Sequence, residues 1–320
     1  MFSFLLPLFA LLHFTNALTS TLQQVTSFGS NPTNVGMYVY RPANLTAASK
    51  PALIVAIHYC TGTGPAYFQN TEYAALADQF GFIVIYPSSP WSGTCWDVSS
   101  RATLTHNGGG DSNAIANMVA FAIANYGVDA MRVFVTGTSS GAMMTNVMCA
   151  TYPNLFKAAT VYSGVAAGCF FSNTGGVDAW NQTCSDGQVS ATQSQWAAIA
   201  HAMFPGYTGA YPAIQEYHGT ADTALFPENL GEEIKQWAGV QGYDAATPAA
   251  VLQNTPLSGY TKSVYGPKLQ GILAQGVGHT VPVLANEDLL WFGIRTAPSN
   301  PGTVGRFGQC GGLGYQGPGW

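Results

Sequence analysis

The sequence predicts an α/β fold with a mostly parallel central sheet and helices on both faces. From residue 52 onward, short continuous apolar runs alternate with stretches of helical periodicity, which is typical of strands that helices cover on both sides. The predicted strands are residues 52–58, 82–86, 132–136, 159–162, 214–218 and 271–274. The predicted helices are residues 71–80, 112–126, 141–152, 228–238 and 283–294.

Two segments depart from this alternation. Residues 168–211 are rich in Gly, Asn, Ser and Trp and lie between two predicted strands, so we expect an inserted cap over the strand ends. Near residue 297, a Pro/Ser/Asn/Gly stretch precedes a Gly-rich tail, which indicates a boundary. The predicted organisation is a leader over residues 1–17, one domain over 18–297, a linker over 298–306 and a tail over 307–320.

Composition limits the possible partners. Of the 320 residues, 8% are charged and 12% are aromatic, and the formal net charge is −5. Without a basic cluster, the chain lacks the main source of affinity for a phosphate backbone. Nucleic acid is therefore excluded as a partner, and a lightly charged, aromatic-rich surface favours an uncharged polymer such as a polysaccharide.

The first 17 residues predict a secreted protein. An apolar run over residues 2–12 leads to small residues that end at Ala17, which is typical of a cleaved signal peptide, although no Lys or Arg precedes the run. The run is shorter than the roughly 20 apolar residues that span a bilayer, so no membrane anchor is expected. Asn44 and Asn181 begin Asn-x-Thr sequons, which are compatible with glycosylation.

The six cysteines favour disulfide bonds over a metal site. They show no Cys-x-x-Cys spacing and no nearby His pair, so zinc is not expected. We predict a bond from Cys169 to Cys184, because it closes a short Gly/Asn/Ser-rich loop, and a bond from Cys60 to Cys95. The two others are left over as candidates for a free thiol; they are Cys149 and Cys310.

The strongest chemical signal is Gly137-Thr138-Ser139-Ser140-Gly141, which lies between a predicted strand and a predicted helix. A serine on such a sharp turn has a strained backbone that only small neighbours tolerate. The turn exposes the hydroxyl at the carboxyl edge of the sheet, and the following helix directs its free N–H groups to the same point. We predict Ser139 as the nucleophile. Ser140 is the rival, but the motif register assigns its N–H to an oxyanion hole.

A serine nucleophile needs a base, and the base needs an orienting carboxylate. His279 follows a predicted strand on a Gly-rich loop and Asp222 follows another strand, so both belong to the same sheet edge as Ser139. Their order along the chain, Ser, Asp, His, is that of the α/β-hydrolase fold. The alternative for Asp222 is a turn or capping aspartate. His218 is the competing base, but at the end of a strand we expect it to pack beneath the site.

The second oxyanion donor is expected in the loop after the first central strand. That loop is Gly-rich from residue 61 to 64, and we predict the backbone N–H of Cys60 as the donor, with that of Ser140 as its partner. A second Gly-rich stretch, residues 106–111, lacks the Lys-Ser/Thr ending of a phosphate-binding loop. No motif requires a cofactor or a metal, and ester hydrolysis by a triad needs neither.

Several segments together carry a family resemblance; they are LQQV (22–25), NPTNVGMY (31–38), AIHYCTGTG (56–64), YPSSP (86–90), CWD (95–97), YHGTAD (217–222), GVGHTVP (276–282) and the Ser139 turn. From residue 22 to 292 the chain resembles fungal acetylxylan esterases of carbohydrate esterase family 1, which are related to feruloyl esterases and polyhydroxybutyrate depolymerases. The resemblance implies a triad of Ser139, Asp222 and His279 that removes acetyl groups from xylan.

Two tryptophans are candidates for substrate binding, since a sugar ring stacks well on an aromatic face. A bond between Cys60 and Cys95 would hold the adjacent Trp96 beside the oxyanion loop. The alternative for Trp96 is a packed core residue. Trp180, in the expected cap, is the second candidate.

The tail from Phe307 to Trp320 looks like the opening of a fungal family 1 cellulose-binding module. So short a fragment buries too little apolar surface to fold by itself. We expect a remnant with at most weak contact to cellulose.

The sequence therefore predicts a secreted serine esterase that acts on acetylated xylan or another hemicellulose through an acyl-enzyme. A feruloyl esterase is the alternative within the same chemistry, and a non-catalytic polysaccharide-binding protein is the alternative from another class. The pocket beside Ser139 distinguishes the first two, because a shallow slot fits acetate and a long apolar groove fits a bulkier acid.

Overall fold

The computed structural model describes residues 18–46, 49–174 and 176–296. The expected leader, linker and tail, together with Cys310, lie outside these residues. Within them, no helix is long and apolar enough to cross a membrane.

Ten strands of the described part form a single sheet. In chain order they are β1 (Gln23–Val25), β2 (Gly36–Tyr40), β3 (Ala52–Ile57), β4 (Phe82–Ser88), β5 (Val133–Thr138), β6 (Ala158–Tyr162), β7 (Ala213–Gly219), β8 (Ala250–Gln253), β9 (Tyr260–Gly266) and β10 (Leu269–Ala274). Across the sheet the order is β1-β2-β4-β3-β5-β6-β7-β10-β9-β8. The run from β4 to β10 is parallel, and both outer pairs are antiparallel. The loops that follow β3, β5, β7 and β10 therefore meet at one edge.

Helices cover both faces of the sheet, which confirms the predicted α/β fold. They are α1 (Gly64–Asn70), α2 (Tyr73–Phe80), α3 (Asp111–Tyr126), α4 (Ser140–Thr151), α5 (Gln182–Ser185), α6 (Gln193–Ala202), α7 (Glu228–Gln241) and α8 (Ala285–Trp291). Side chains of α3, α4, α6 and α7 belong to one apolar cluster. Those of α1, α2 and α8 belong to a second cluster on the other face.

Strand β3 is apolar at every position because both of its faces are buried. In β3, Leu53 and Val55 join the first cluster, whereas Ile54 and Ala56 join the second, as the two-residue period of a strand requires. Burying each large aliphatic side chain contributes about 1.5–3 kcal/mol. This stabilisation fixes the register of the strands that carry the functional loops.

All six predicted strands and five predicted helices are present, with shifted ends. The sequence analysis does not predict the outer strands β1, β2, β8 and β9. Strands β1 and β8 have only three and four residues, and β9 contains the polar run 261–263. The expected cap, residues 168–211, covers the strand ends only in part. Its helix α6 packs on α7 through Trp196, which is buried, so this part extends a helical layer instead of covering the strand ends.

Both predicted disulfide bonds are confirmed. Cys60 is bonded to Cys95 and Cys169 to Cys184. Cys149 is a free, buried thiol on α4. The first bond ties the loop after β3 to the loop after β4, and the second closes the first part of the insertion.

Candidate active site

Ser139 occupies the sharp turn between β5 and α4. Its backbone has φ 57° and ψ −120°, a left-handed conformation that costs energy for any residue with a side chain. A Cβ on Gly137 would lie 2.2 Å from the carbonyl oxygen of Gly141, and a Cβ on Gly141 would lie 2.2 Å from that of Ile57. Both glycines are therefore required for the turn to pack against its own helix and against β3.

Three of the predicted residues meet at this turn. The Ser139 Oγ lies 2.8 Å from His279 Nε2, and His279 Nδ1 lies 2.7 Å from Asp222 Oδ2. An ionised carboxylate only accepts hydrogen bonds, so Nδ1 carries the proton and donates it. This tautomer leaves Nε2 as the acceptor for the serine hydroxyl, which is the arrangement that a general base needs.

The loops that carry Asp222 and His279 are joined by backbone contacts. A Cβ on Gly219 would lie 2.2 Å from the carbonyl oxygen of Val277, so only glycine allows the end of β7 to approach the loop after β10 this closely. The N–H of Ala221 donates to the same carbonyl over 2.9 Å. The carboxylate and the imidazole are thus placed by the parallel pairing of β7 and β10.

Asp222 is buried, and its partners keep it ionised. Its Oδ1 accepts from the N–H groups of Ala224 and Leu225 at 2.9 and 3.0 Å. Burial alone would raise the pKa of Asp222, but hydrogen bonds from His218, His279 and these N–H groups outweigh it and hold the pKa below its usual range. The site is accessible to solvent at His279, whose side chain is 23% exposed.

The two expected oxyanion donors lie beside the nucleophile. Ser140 opens α4 and Cys60 follows β3, and both line a cavity of about 160 Å³. Among the hydrogen bonds of the described residues, neither backbone N–H has a partner, so both are free to bind a substrate oxygen. The Cys60–Cys95 bond holds the Cys60 loop in place.

The two tryptophans have different positions, and one expectation is wrong. Trp96 is 1% exposed and donates its indole N–H to the His58 carbonyl over 2.8 Å, so no sugar ring can stack on it. It packs in the core and forms only an inner wall of the 160 Å³ cavity. Trp180 is 57% exposed, lies edge-on to Phe170 and forms the outer wall of the same cavity.

A second cavity, of about 290 Å³, borders Thr138 and Thr280, the neighbours of the nucleophile and the base. Tyr59, Tyr67 and Asn70 also line it. The sequence analysis missed these three residues because they belong to no recognisable motif; the only indication of a role is that they lie near the Cys60 loop in the sequence. The hydroxyls of Tyr67 and Thr138 are hydrogen-bonded to each other over 2.7 Å.

Two other features carry no role in this site. A groove of about 1020 Å³ between α6, α7, β9 and β10 is lined by none of Ser139, Asp222 and His279. In the same part of the chain, no group of three or more His, Cys, Asp or Glu side chains is placed to hold a metal ion.

The sequence model of the family described as "Esterase PHB depolymerase" matches residues 36–256. Acetylxylan esterase A from Aspergillus awamori is 62% identical over 276 residues, which are 86% of this chain and 90% of that protein. Acetylxylan esterase A from Talaromyces purpureogenus is 50% identical, over 99% of this chain and 94% of that protein.

Solved structures are similar at two levels. The acetyl xylan esterase from Aspergillus awamori matches with a TM-score of 0.85 at 62% identity and covers 86% of this chain and 100% of that chain. Esterase 2 from Thermogutta terrifontis, phosphorylated by paraoxon, matches with a TM-score of 0.52 at 13% identity, over 89% of this chain and 99% of that chain. At so low an identity the likeness shows the fold alone.

Proposed function

Because the chain belongs to the esterase PHB depolymerase family and is a carboxylic ester hydrolase, we propose that it is a secreted acetylxylan esterase that works through an acyl-enzyme on Ser139. One observation carries the catalytic part of the proposal. The hydroxyl, the imidazole and the carboxylate form a continuous hydrogen-bonded path of 2.8 and 2.7 Å, at the edge where four loops meet.

In the first half of the reaction, the Ser139 Oγ attacks the carbonyl carbon of the acetyl ester while its proton passes to His279 Nε2. The carbonyl oxygen becomes an anion that the N–H groups of Cys60 and Ser140 stabilise; one such donor contributes about 2.7–4 kcal/mol to lowering the barrier. The ester C–O bond then breaks, and His279 returns the proton to the departing sugar hydroxyl. Asp222 stabilises the imidazolium throughout.

In the second half, water replaces the sugar. His279 takes a proton from the water as it attacks the acetyl carbonyl, and the same two N–H groups bind the new oxyanion. The bond to Ser139 breaks, acetate leaves, and the proton returns to the serine. No step needs a group that this chain does not provide.

The cavity beside the oxyanion donors favours acetate over ferulate. It measures about 160 Å³, and its walls are the Cys60–Cys95 bond, the buried Trp96 and the indole of Trp180. A cavity of this size holds about one benzene ring, whereas a feruloyl group also carries a two-carbon spacer, a hydroxyl and a methoxy group, so it needs more room. The few charged residues agree with an uncharged, acetylated xylan as the polymer.

The experiment compares acetate and ferulate release from one hemicellulose preparation that carries both esters. The wild type is expected to release acetate with little ferulate. Ser139→Ala removes the nucleophile and is expected to lower acetate release by a factor of about 10⁴ or more, whereas Ser258→Ala, at an exposed loop position, leaves it unchanged. Ferulate in excess of acetate, or full activity in a folded Ser139→Ala protein, contradicts the proposal.

A further inference from the structure

His218, which the sequence analysis considered as a competing base, lies directly behind the triad. It is fully buried near the end of β7, with Nε2 2.8 Å from the carbonyl oxygen of Leu225 and 3.5 Å from Asp222 Oδ2. A carbonyl only accepts hydrogen bonds, so Nε2 carries a proton. Asp222 Oδ2 therefore lies between two imidazoles, that of His279 and that of His218.

The other ring nitrogen of His218 lies opposite a second buried carboxylate. Its Nδ1 lies 3.9 Å from Glu233 Oε2 on α7, while Glu233 Oε1 accepts from Asn146 over 2.9 Å. In the described residues, neither Nδ1 nor this Oε2 has a hydrogen-bond partner. These two buried polar atoms lie 3.9 Å apart, and an Nδ1–H on His218 would give each of them a partner.

Titratable side chains face His218 from each of the elements packed around it. Glu216 on β7 is fully buried beside Glu233, Cys149 on α4 lies near Glu216, and Asp222 and His279 lie on the loop side. Burial and the charge of Glu233 raise the pKa of Glu216 well above its usual value, and burial raises that of the Cys149 thiol, so both stay protonated. Two buried carboxylates remain, those of Asp222 and Glu233. Burial raises the pKa of Glu233 as well, and the neighbouring His218 opposes this rise.

Within the described part of the chain, every ion pair of Asp222 and Glu233 is to a histidine. A neutral His218 would leave two anions close together without a cation, which is costly in a buried place. Burial lowers the pKa of His218, but the neighbouring carboxylates of Asp222 and Glu233 outweigh it and raise the pKa to about 9.

We propose that His218 is a positioning residue that holds a permanent positive charge, bridging Glu233 and Asp222 so that the Asp222 carboxylate stays ionised and directed at His279. The inference rests on the proposed role of the Ser139 triad. One consequence concerns the acid side of the pH profile. A cation behind Asp222 opposes protonation of the triad, so the enzyme keeps its base in the active form at lower pH.

His218→Gln tests the charge while keeping an N–H near the position of Nε2 for the Leu225 carbonyl. We expect kcat to fall about ten-fold and the acid limb of kcat/KM for a soluble acetyl ester to move upward by about one pH unit. His201→Gln makes the same chemical change on α6, where the ring contacts Tyr211, and is expected to leave the limb in place. A His218→Gln enzyme with lower thermal stability but an unmoved limb overturns the proposal.

A second measurement needs no active variant. In the NMR spectrum of protein labelled in its histidine rings, Nδ1 of His218 is expected to carry a proton at pH 7, and in Glu233→Gln it is expected to lose that proton at a lower pH than in the wild type. An unprotonated Nδ1 at pH 7 in the wild type overturns the proposal even if His218→Gln does not fold. Full activity of Ser139→Ala would instead refute the triad, so the two failures are distinguishable.

Discussion

Two buried carboxylates, those of Asp222 and Asp288, differ in the groups that donate hydrogen bonds to them. Asp222 and Asp288 are both buried and both join distant parts of the chain. Asp288, on α8, accepts from the hydroxyl of Tyr73, and it accepts from Tyr162 over 2.7 Å. It also accepts from the side-chain amide of Gln215 over 3.3 Å. These three donors are uncharged and buried, whereas His279, the partner of Asp222, also contacts Ser139 and is partly exposed to solvent.

The partners also have opposite electrostatic effects. Burial raises the pKa of Asp288 to about 6, although the tyrosine hydroxyls oppose it, whereas imidazole and backbone donors lower the pKa of Asp222. A carboxylate bound by neutral hydroxyls stabilises a fold, and one bound by a basic ring can direct a proton transfer. The difference between the two sites lies in the donor, because burial is similar in both.

The largest expected effect is at Asp222. Asp222→Asn places an amide opposite His279 Nδ1 and favours the wrong tautomer, so we expect kcat to fall by about 10³- to 10⁴-fold while the free energy of unfolding changes much less. Steady-state kinetics and denaturant unfolding of the same protein check this. If kcat remained within a few-fold of the wild type, Asp222 would belong with Asp288 as a structural carboxylate.

At Asp288 we expect a large loss of stability and little change in kcat. Asp288→Ala leaves the hydroxyls of Tyr73 and Tyr162 without their acceptor and opens a cavity, which costs about 3–4 kcal/mol in the free energy of unfolding. The folded fraction is expected to keep near wild-type kcat. Urea unfolding gives the first quantity, and kinetics well below the unfolding midpoint give the second. A large loss of kcat in folded protein would show that the two networks are not separate.

The smallest expected effect is at the cavity wall. Trp180→Ala removes an exposed indole and opens the 160 Å³ cavity, so the ratio of kcat/KM for a butanoyl ester over an acetyl ester of the same alcohol is expected to rise about ten-fold, which corresponds to about 1.4 kcal/mol. Val251→Ala, at an exposed position of β8, serves as the control. An unchanged ratio would mean that the acyl group binds elsewhere.

The sequence predicted the Ser139 site because local chemistry marks each of its parts. A serine between two close glycines on a strand-to-helix turn is typical of a nucleophile, and parallel strands bring their following loops to one edge. Asp288 gave no such signal, since its partners are far away in the chain and no turn or spacing connects them. The prediction for Trp96 was wrong for a related reason: a neighbouring disulfide fixes where an indole lies, but the sequence does not say which side of it is covered.

Glu233 illustrates the same limit. It follows Glu232 on a polar helix, and the two side chains diverge: Glu232 bonds the indole N–H of Trp196 and the ammonium of Lys235, whereas Glu233 points inward to His218. Helix periodicity separates such neighbours by about 100°. Both are buried, and only the packing of α7 decides which of them faces His218.

The most direct test of the central claim is to trap the acyl-enzyme. Protein quenched in acid during turnover of an acetyl ester, then digested and analysed by mass spectrometry, is expected to carry one acetyl group on Ser139, and a fluorophosphonate is expected to label the same side chain. Rapid turnover with neither adduct on Ser139, or with the adduct on Ser140 or another residue, would contradict the account.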